Sequence, residues 1–290
     1  MKILLTGASG FLGSALALRL KRDGHDLALL LRPNSSLRRL EGETFEIGRY
    51  ANEAELRMFV RGVAPQAVIH TACSYGRQGE TLLDLTDANL RLGLALLQAL
   101  PTTVDAPCLF LNTGTALPAE TSPYALSKVQ LAGWGHQQAK AAPHRLKFVN
   151  VELQHMFGPG DDESKFTTRV VHACHRNEPE LALTAGEQTR DFIYIDDVVD
   201  AYATLLERSD CLGAAADVPL GSGSAPSVRE FVQTVHRLCR SRTRLDFGAV
   251  PYRPTEAMHC QADLTLMNGM GWSPHWGLEA GIERMIELEF

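Results

Sequence analysis

Three glycines closing an apolar run constrain this chain more than any other feature. Its first residues read Met1-Lys-Ile-Leu-Leu-Thr-Gly7-Ala-Ser-Gly10-Phe-Leu-Gly13, then Ser14-Ala-Leu-Ala-Leu-Arg-Leu20. Lys2 to Thr6 predicts a buried strand, and the stretch after Gly13 a helix. A strand that stops at glycines and enters a helix directly presents backbone N–H groups and the positive end of the helix dipole. That is an anion site suited to a pyrophosphate. Gly7 permits a tight turn, Gly10 a close approach to phosphate, and Gly13 close packing of helix on strand. Ser9, Phe11 and Leu12 share the loop and are candidate contacts beside Gly7 and Gly10. The spacing is G-x-x-G-x-x-G, so a glycine-rich turn with no ligand stands as the alternative.

A chain of 290 residues can bury a sizeable core in one or two domains. Its net charge of −6 gives no general reason to expect nucleic acid or an anionic membrane as partner. Cys73, Cys108, Cys174, Cys211, Cys239 and Cys260 are scattered with no C-x-x-C pair. Buried free thiols in a reducing compartment are therefore expected, with no metal site. The first strand begins at once and no apolar run is long enough for a bilayer, so a cytoplasmic protein is expected.

After Gly24, His25 to Leu31 predicts a second strand, followed by Arg32-Pro-Asn-Ser35-Ser36. In a dinucleotide fold this strand end faces the adenosine ribose, where NAD-binding chains usually place a carboxylate. Here Leu31 is followed by Arg32, with Ser35, Ser36, Arg38 and Arg39 close behind. A guanidinium with hydroxyls suits a 2′-phosphate, so NADP is favoured over NAD. Solvated surface arginines are the alternative. Thr44–Ile47 and Gln66–Thr71 predict further strands, with a helix over Asn52–Val63 between them. His70 is expected to pack near the cofactor, with Thr71 and Ala72 at the strand end. Leu82 to Leu100 is apolar nearly all round and predicts a buried helix, one face against a second subunit. Asn89 within it is either a satisfied core amide or a residue that steadies the site.

Cys108–Asn112 predicts a strand ending at Thr113-Gly-Thr115. Ser122-Pro123 then opens a helix, Ser122 as cap and Pro123 in the first turn. Tyr124 and Lys128 lie four apart on it and share a face. An ammonium beside a phenol favours the phenolate and lowers its pKa, which suits proton transfer at a carbonyl or alcohol. Arg145–Leu153 predicts a sixth strand, completing the alternation of a doubly wound α/β sheet. Later segments comprise a breaker-rich loop from Gln154 to Asp162, a helix over Lys165–His175, a strand over Arg190–Asp197 entering a helix at Val198–Arg208, and helices at Val228–Cys239 and from Leu278. The expected division is a Rossmann-type dinucleotide domain over 1–153, taking in about 191–210, with a smaller substrate lobe over 154–290.

The chain resembles the extended short-chain dehydrogenases/reductases of the nucleotide-sugar epimerase/dehydratase family. The anchors are Thr6 to Gly13, Val68-Ile-His-Thr-Ala72, Asn89, Thr113, Tyr124 with Lys128, Phe157-Gly-Pro-Gly160, Arg190-Asp-Phe-Ile-Tyr-Ile-Asp-Asp197 and Gly271-Trp272. The resemblance implies Tyr124 as acid/base, Lys128 holding the nicotinamide ribose, and Thr113 orienting the substrate oxygen, with Thr115 as the fallback. It implies Asn89, Thr71 and Ala72 near the cofactor, Arg190 and Arg253 on a sugar-nucleotide diphosphate, and dimerisation through the helices at Leu82–Leu100 and Tyr124–Ala141. Salt bridges to Asp191 or Glu256 are the structural alternative for the two arginines. Members usually carry an arginine and an asparagine before the Tyr/Phe-Gly-Pro-Gly loop. Here Glu152 and His155 stand there, so His155 is the replacement candidate.

Departures narrow the reaction that the resemblance implies. Sugar 4,6-dehydratases place an acidic pair after the catalytic threonine, where this chain has Gly114 and Thr115. NAD-using 4-epimerases keep an acidic residue at Leu31. The segments around Thr113, Tyr124 and Phe157 look most like 4-ketoreductases of CDP-deoxysugar synthesis. The expectation is an NADPH-dependent reductase of a nucleotide-linked 4-keto-6-deoxyhexose. A 4-epimerase with bound NAD and a non-catalytic dinucleotide-binding regulator are the rivals.

Overall fold

Short apolar strands alternating with helices build the molecule. The computed structural model describes residues 1–100 and 106–290. In chain order the elements are β1 (Lys2–Thr6), α1 (Phe11–Arg22), β2 (Asp26–Leu31), β3 (Glu46–Arg49), α2 (Glu53–Val63), β4 (Ala67–His70), α3 (Leu82–Thr86), α4 (Leu92–Ala99), β5 (Cys108–Thr113), α5 (Pro123–Ala141), β6 (Leu146–Leu153), β7 (His155–Phe157), α6 (Phe166–His175), β8 (Glu180–Leu183), β9 (Phe192–Tyr194), α7 (Ile195–Arg208), β10 (Ala215–Leu220), α8 (Val228–Leu238), β11 (Arg244–Phe247), α9 (Thr265–Gly269) and α10 (Leu278–Glu289). They form two compact units, one of Met1–Glu152 with Val199–Val218, the other of Leu153–Val198 with Pro219–Phe290.

The first unit holds a seven-stranded sheet in the order β10-β6-β5-β4-β1-β2-β3, the Rossmann-type arrangement, with β1 to β6 pairing in parallel. Its register explains where apolar packing stops. Leu4, Val68, Phe110 and Phe148 are in register across four strands and pack with Leu56, Val60, Leu96 and Leu97 from α2 and α4. Two residues on, the same face carries Thr6, His70, Asn112 and Asn150, a polar row at the carboxyl ends of the strands. Polar side chains there interrupt the core where ligands of such sheets bind.

Leu82 to Leu100 is not one buried helix. A π-helical turn, Asp87–Arg91, separates α3 from α4, and Leu82 and Leu83 are exposed. The third strand starts at Glu46, two residues later than expected, because Tyr50 N–H bonds the Leu31 carbonyl and sets the register against β2. The six cysteines are unbonded, but only Cys108 and Cys174 are buried, and Cys211 is exposed.

The second unit carries two short parallel pairs, β7 with β9 and β8 with β11. An aromatic cluster forms its core, with Phe231 of α8 stacked on Phe192 at 4.3 Å and edge-on to Phe157 at 6.2 Å. The fully buried Asp191 accepts from Ser222 N–H and hydroxyl at 2.6 and 2.7 Å, Gly223 N–H at 3.0 Å and Ala262 N–H at 3.1 Å, which ties three loop segments together. α7 begins at Ile195 rather than Val198, so Asp196 and Asp197 fall in its first turn, where the helix dipole favours carboxylates. Among the described residues no helix is long and apolar enough to cross a membrane.

Candidate active site

The glycine loop between β1 and α1 is shaped by backbone crowding. Gly7 has φ of 75°, and a Cβ there would lie 2.5 Å from Thr71 Oγ1 and 2.6 Å from the Ala72 nitrogen. A Cβ on Gly13 would lie 2.1 Å from the Gly7 carbonyl oxygen. Gly10 N–H donates to that same carbonyl at 2.9 Å, and Gly10 caps α1 with no side-chain bond and no acidic residue in the first turn. This helix terminus fits a phosphate, since nothing anionic competes for it. Thr71 and Ala72 lie against the loop, Thr71 Oγ1 donating to the Thr6 carbonyl at 2.8 Å. Ser9 is half-buried, and Leu12 turns its side chain into the core, which leaves its main chain to the loop.

The loop after β2 is exposed at Arg32 and Ser36, with Ser35 half-buried. It is organised by a residue that motif reading passes over. Arg49, at the end of β3, donates from Nη1 to the carbonyls of Arg32 at 3.0 Å, Pro33 at 2.7 Å and Ser35 at 3.3 Å, and from Nη2 to Ser35 at 3.2 Å. One guanidinium therefore fixes the backbone of the segment that carries Arg32, Ser35 and Ser36. The signal was an arginine just beyond the third strand's apolar residues, which composition alone does not separate from a surface charge.

At the carboxyl end of β5, the two threonines divide their roles. Thr113 Oγ1 is 2.6 Å from the Tyr202 hydroxyl of α7, both buried. Thr115 is the threonine whose side chain draws the Tyr124 pKa down. Thr115 Oγ1 also accepts Leu117 N–H at 3.2 Å, which leaves its own hydrogen for the phenol oxygen. The Thr113 hydroxyl is engaged by Tyr202, and Thr115 acts on the phenol. Lys128 is 1% exposed and its Nζ donates to the Thr113 carbonyl at 2.8 Å. Ser122 caps α5 by accepting Ala125 N–H at 3.2 Å, with Pro123 at the first position.

The expected depression of the phenol pKa does not hold here. Burial dominates and raises the Tyr124 pKa, the nearby Cys73 raises it further, and Arg77 and the Thr115 hydrogen bond pull the other way. Lys128 is itself pushed down by burial, because an ammonium stripped of water holds its proton less readily. The Tyr75 ring packs against Tyr124 at 4.9 Å, tilted by 33°, with Arg77 over the Tyr75 ring at 5.3 Å.

Asn89, in the π-helical turn, resolves its two readings together. It is fully buried and satisfied, its Oδ1 accepting Ser74 N–H at 2.7 Å and its Nδ2 donating to the Ser74 carbonyl at 2.8 Å and Ser127 Oγ at 3.0 Å. It ties the loop after β4 to the helix that carries Tyr124 and Lys128. His70 is buried with Nδ1 2.7 Å from Thr6 Oγ1, and burial, aided by Lys128, pushes its pKa down to about 3, so the ring is neutral.

In the second unit, Arg190 is committed within the protein. It is paired with Glu256 and donates to the Thr189 carbonyl at 2.7 Å. The salt-bridge alternative to Glu256 is therefore formed. Arg253 is exposed on the turn closed by Glu256 N–H to its carbonyl at 3.0 Å. His155 N–H bonds the Asp191 carbonyl at 3.0 Å and its ring meets Phe192 edge-on at 6.0 Å. Among the described residues no cluster of His, Cys, Asp and Glu could hold a metal ion.

The model of the NAD dependent epimerase/dehydratase family matches residues 3–221. The chain belongs to that family. Its members are enzymes of the extended short-chain dehydrogenase/reductase type that hold a nicotinamide dinucleotide. Similar curated proteins of this epimerase/dehydratase family include CDP-abequose synthase of Salmonella typhimurium, 29% identical over 98% of this chain and 97% of the relative. dTDP-L-rhamnose 4-epimerase of Burkholderia thailandensis is also 29% identical, over 57% of this chain and 45% of its own length. Among solved structures, UDP-glucose 4-epimerase from Thermotoga maritima, with UDP-glucose, aligns with a TM-score of 0.83 at 20% identity over 99% of this chain and 98% of its own. That likeness establishes the fold shared by the family.

Proposed function

We propose that the protein is an NADP-dependent reductase of a nucleotide-linked 4-keto-6-deoxyhexose. The observation that carries this reading is Tyr124 and Lys128 on one face of α5, beside a turn after β5, Thr113-Gly114-Thr115, with no acidic or basic side chain. A dinucleotide held by the glycine loop would supply the hydride to C4. Tyr124 donates the proton to the oxygen that gains charge, and Thr115 orients and stabilises that oxygen as its charge grows. Lys128, fixed by the Thr113 carbonyl, is placed to hold the nicotinamide ribose. Burial raises the phenol pKa, so Tyr124 carries its proton before the transfer. The Arg32, Ser35 and Ser36 loop, braced by Arg49, supports a 2′-phosphate and hence NADP. The full-length similarity to CDP-abequose synthase supports a nucleotide deoxysugar as substrate class.

Titration of purified protein with NADPH and NADH, after extracting any nucleotide that copurifies, tests the reading. Preference for NADPH, weakened by Arg32→Asp, followed by oxidation of NADPH with a CDP-linked 4-keto-6-deoxyhexose, is the expected result. Tightly held NAD would instead favour the second reading, a nucleotide-sugar 4-epimerase, which the Burkholderia relative supports. The proposed assembly is a homodimer through α5, whose Leu126, Val129 and Trp134 are exposed. Light scattering should report twice the chain mass, reduced to one by Trp134→Glu, and a monomeric wild type would refute it.

A further inference from the structure

We propose that Asn150 is a positioning residue for proton transfer, its carboxamide filling the seat beside Gly114 and so fixing the Thr115 hydroxyl on the Tyr124 phenol. The inference deepens the reductase reading and rests on it.

Three adjacent strands hold that carboxamide in place. Asn150 Oδ1 accepts from Asn112 Nδ2 at 2.9 Å on β5, and Asn150 Nδ2 donates to Asp217 Oδ1 at 2.9 Å on β10. Asn150 and Asn112 are both buried, so the bond between them is not replaced by water if it breaks. Gly114 lies directly against it. A Cβ at residue 114 would sit 2.4 Å from Asn150 Oδ1 and 3.0 Å from its Cγ. It would also sit 3.0 Å from the Val151 carbonyl oxygen, which already accepts Gly114 N–H at 2.8 Å. That carbonyl belongs to the sheet and cannot retreat without loss of register between β5 and β6. The turn is thus held by a main-chain bond and by a side chain that occupies the place of any substituent. Thr115 is the next residue, its Oγ1 accepts Leu117 N–H at 3.2 Å, and its side chain acts on the Tyr124 phenol.

The same packing sets what the turn can carry. An acid or base at residue 114 would need the space that Asn150 takes, and residue 115 carries only a hydroxyl. The turn therefore serves the single proton that Tyr124 moves. Loss of water from a neighbouring carbon needs a further proton transfer, for which this turn has no group.

The test compares Gly114→Ala, Asn150→Ala and the double variant by steady-state oxidation of NADPH with a CDP-linked 4-keto-6-deoxyhexose and by thermal unfolding. Each single variant is expected to lower kcat by about 30-fold, a misplacement effect, with KM for NADPH within about threefold. The double variant is expected to return to within about fivefold of wild-type kcat, since the methyl added at residue 114 enters the space the carboxamide leaves, and its Tm should exceed that expected from additive losses. Single variants with wild-type kcat, or losses that multiply in the double variant, overturn the proposal. A wild type that turns over no 4-keto substrate overturns the reductase reading instead. Non-additive Tm values then uphold the shared seat of residues 114 and 150, and additive ones overturn it.

Discussion

Oγ1 of Thr113 and the hydroxyl of Tyr202 lie 2.6 Å apart in the buried contact between β5 and α7. That bond engages the Thr113 hydroxyl, while the Thr115 side chain draws the Tyr124 pKa down. Thr115→Val should therefore lower kcat by roughly 10²-fold, the cost of removing one donor at a developing oxyanion. Thr113→Val should instead cost about 1 kcal/mol of stability, the worth of a buried hydrogen bond, with kcat within a few-fold of wild type. Turnover and denaturant midpoints measured on both variants decide this, and the reverse pattern would return the catalytic hydroxyl to Thr113.

Burial keeps the phenol of Tyr124 above its ordinary pKa, so the proton donor is intact through neutral and mildly alkaline pH. The reductive kcat should show no basic limb below about pH 9, because a group titrates only near its own pKa. Tyr124→Phe should lose roughly 10²- to 10⁴-fold in kcat while NADPH binding stays within a few-fold. A limb near neutrality that disappears in the phenylalanine variant would show that the phenolate, not the phenol, is the working form.

The four hydrogen bonds from Arg49 to the carbonyls of Arg32, Pro33 and Ser35 make it the brace of the loop offered to a 2′-phosphate. Arg49→Met should weaken NADPH by about tenfold through loss of preorganisation. Arg32→Asp should weaken it by about 100-fold or more, since a charge-assisted contact is replaced by repulsion. NADH affinity, measured in parallel by fluorescence titration, should move little in either variant. Equal losses for both nucleotides would place Arg32 and Arg49 outside the discrimination.

Much of the sheet could be read from the sequence because its cause is local. Lys2–Thr6, Ala67–His70 and Cys108–Thr113 are apolar runs with a turn signal at their ends, and Ser122-Pro123 names its own helix start. The short strands β7, β8 and β11 were not legible. Each holds three or four residues, and β8 has only two buried side chains, so pairing with a distant partner makes them strands. The site divides along the same line. Tyr124 and Lys128 announce themselves by spacing on one helix. The partner of Thr113 is Tyr202, far along the chain, and the phenol's raised pKa depends on burial that spacing does not encode. Asn150 and Arg49 act through carbonyls and through space, and neither stands in a motif.

His70 gives the fold a pH dependence with a definite sign. Its ring is neutral in the native state with a pKa of about 3, against 6.5 for the exposed side chain. The unfolded chain therefore binds a proton that the native one does not as the pH falls below 6.5, and stability is lost through the window from 6.5 toward 3. The contribution is fully present above pH 6.5 and its slope approaches about 1.4 kcal/mol per pH unit. His25, also lowered chiefly by burial, adds in the same direction, so the measurement is a difference between two proteins. Urea unfolding of wild type and His70→Asn at about pH 7.5, 6.0 and 5.0 isolates the term. The variant should be less stable at the highest pH, because Thr6 loses its buried ring partner, yet it should lose less on acidification. Parallel pH profiles would mean that the ring at position 70 is as readily protonated in the folded protein as in the unfolded chain. The polar row of Thr6, His70, Asn112 and Asn150 would then be open to water rather than sealed within the first unit.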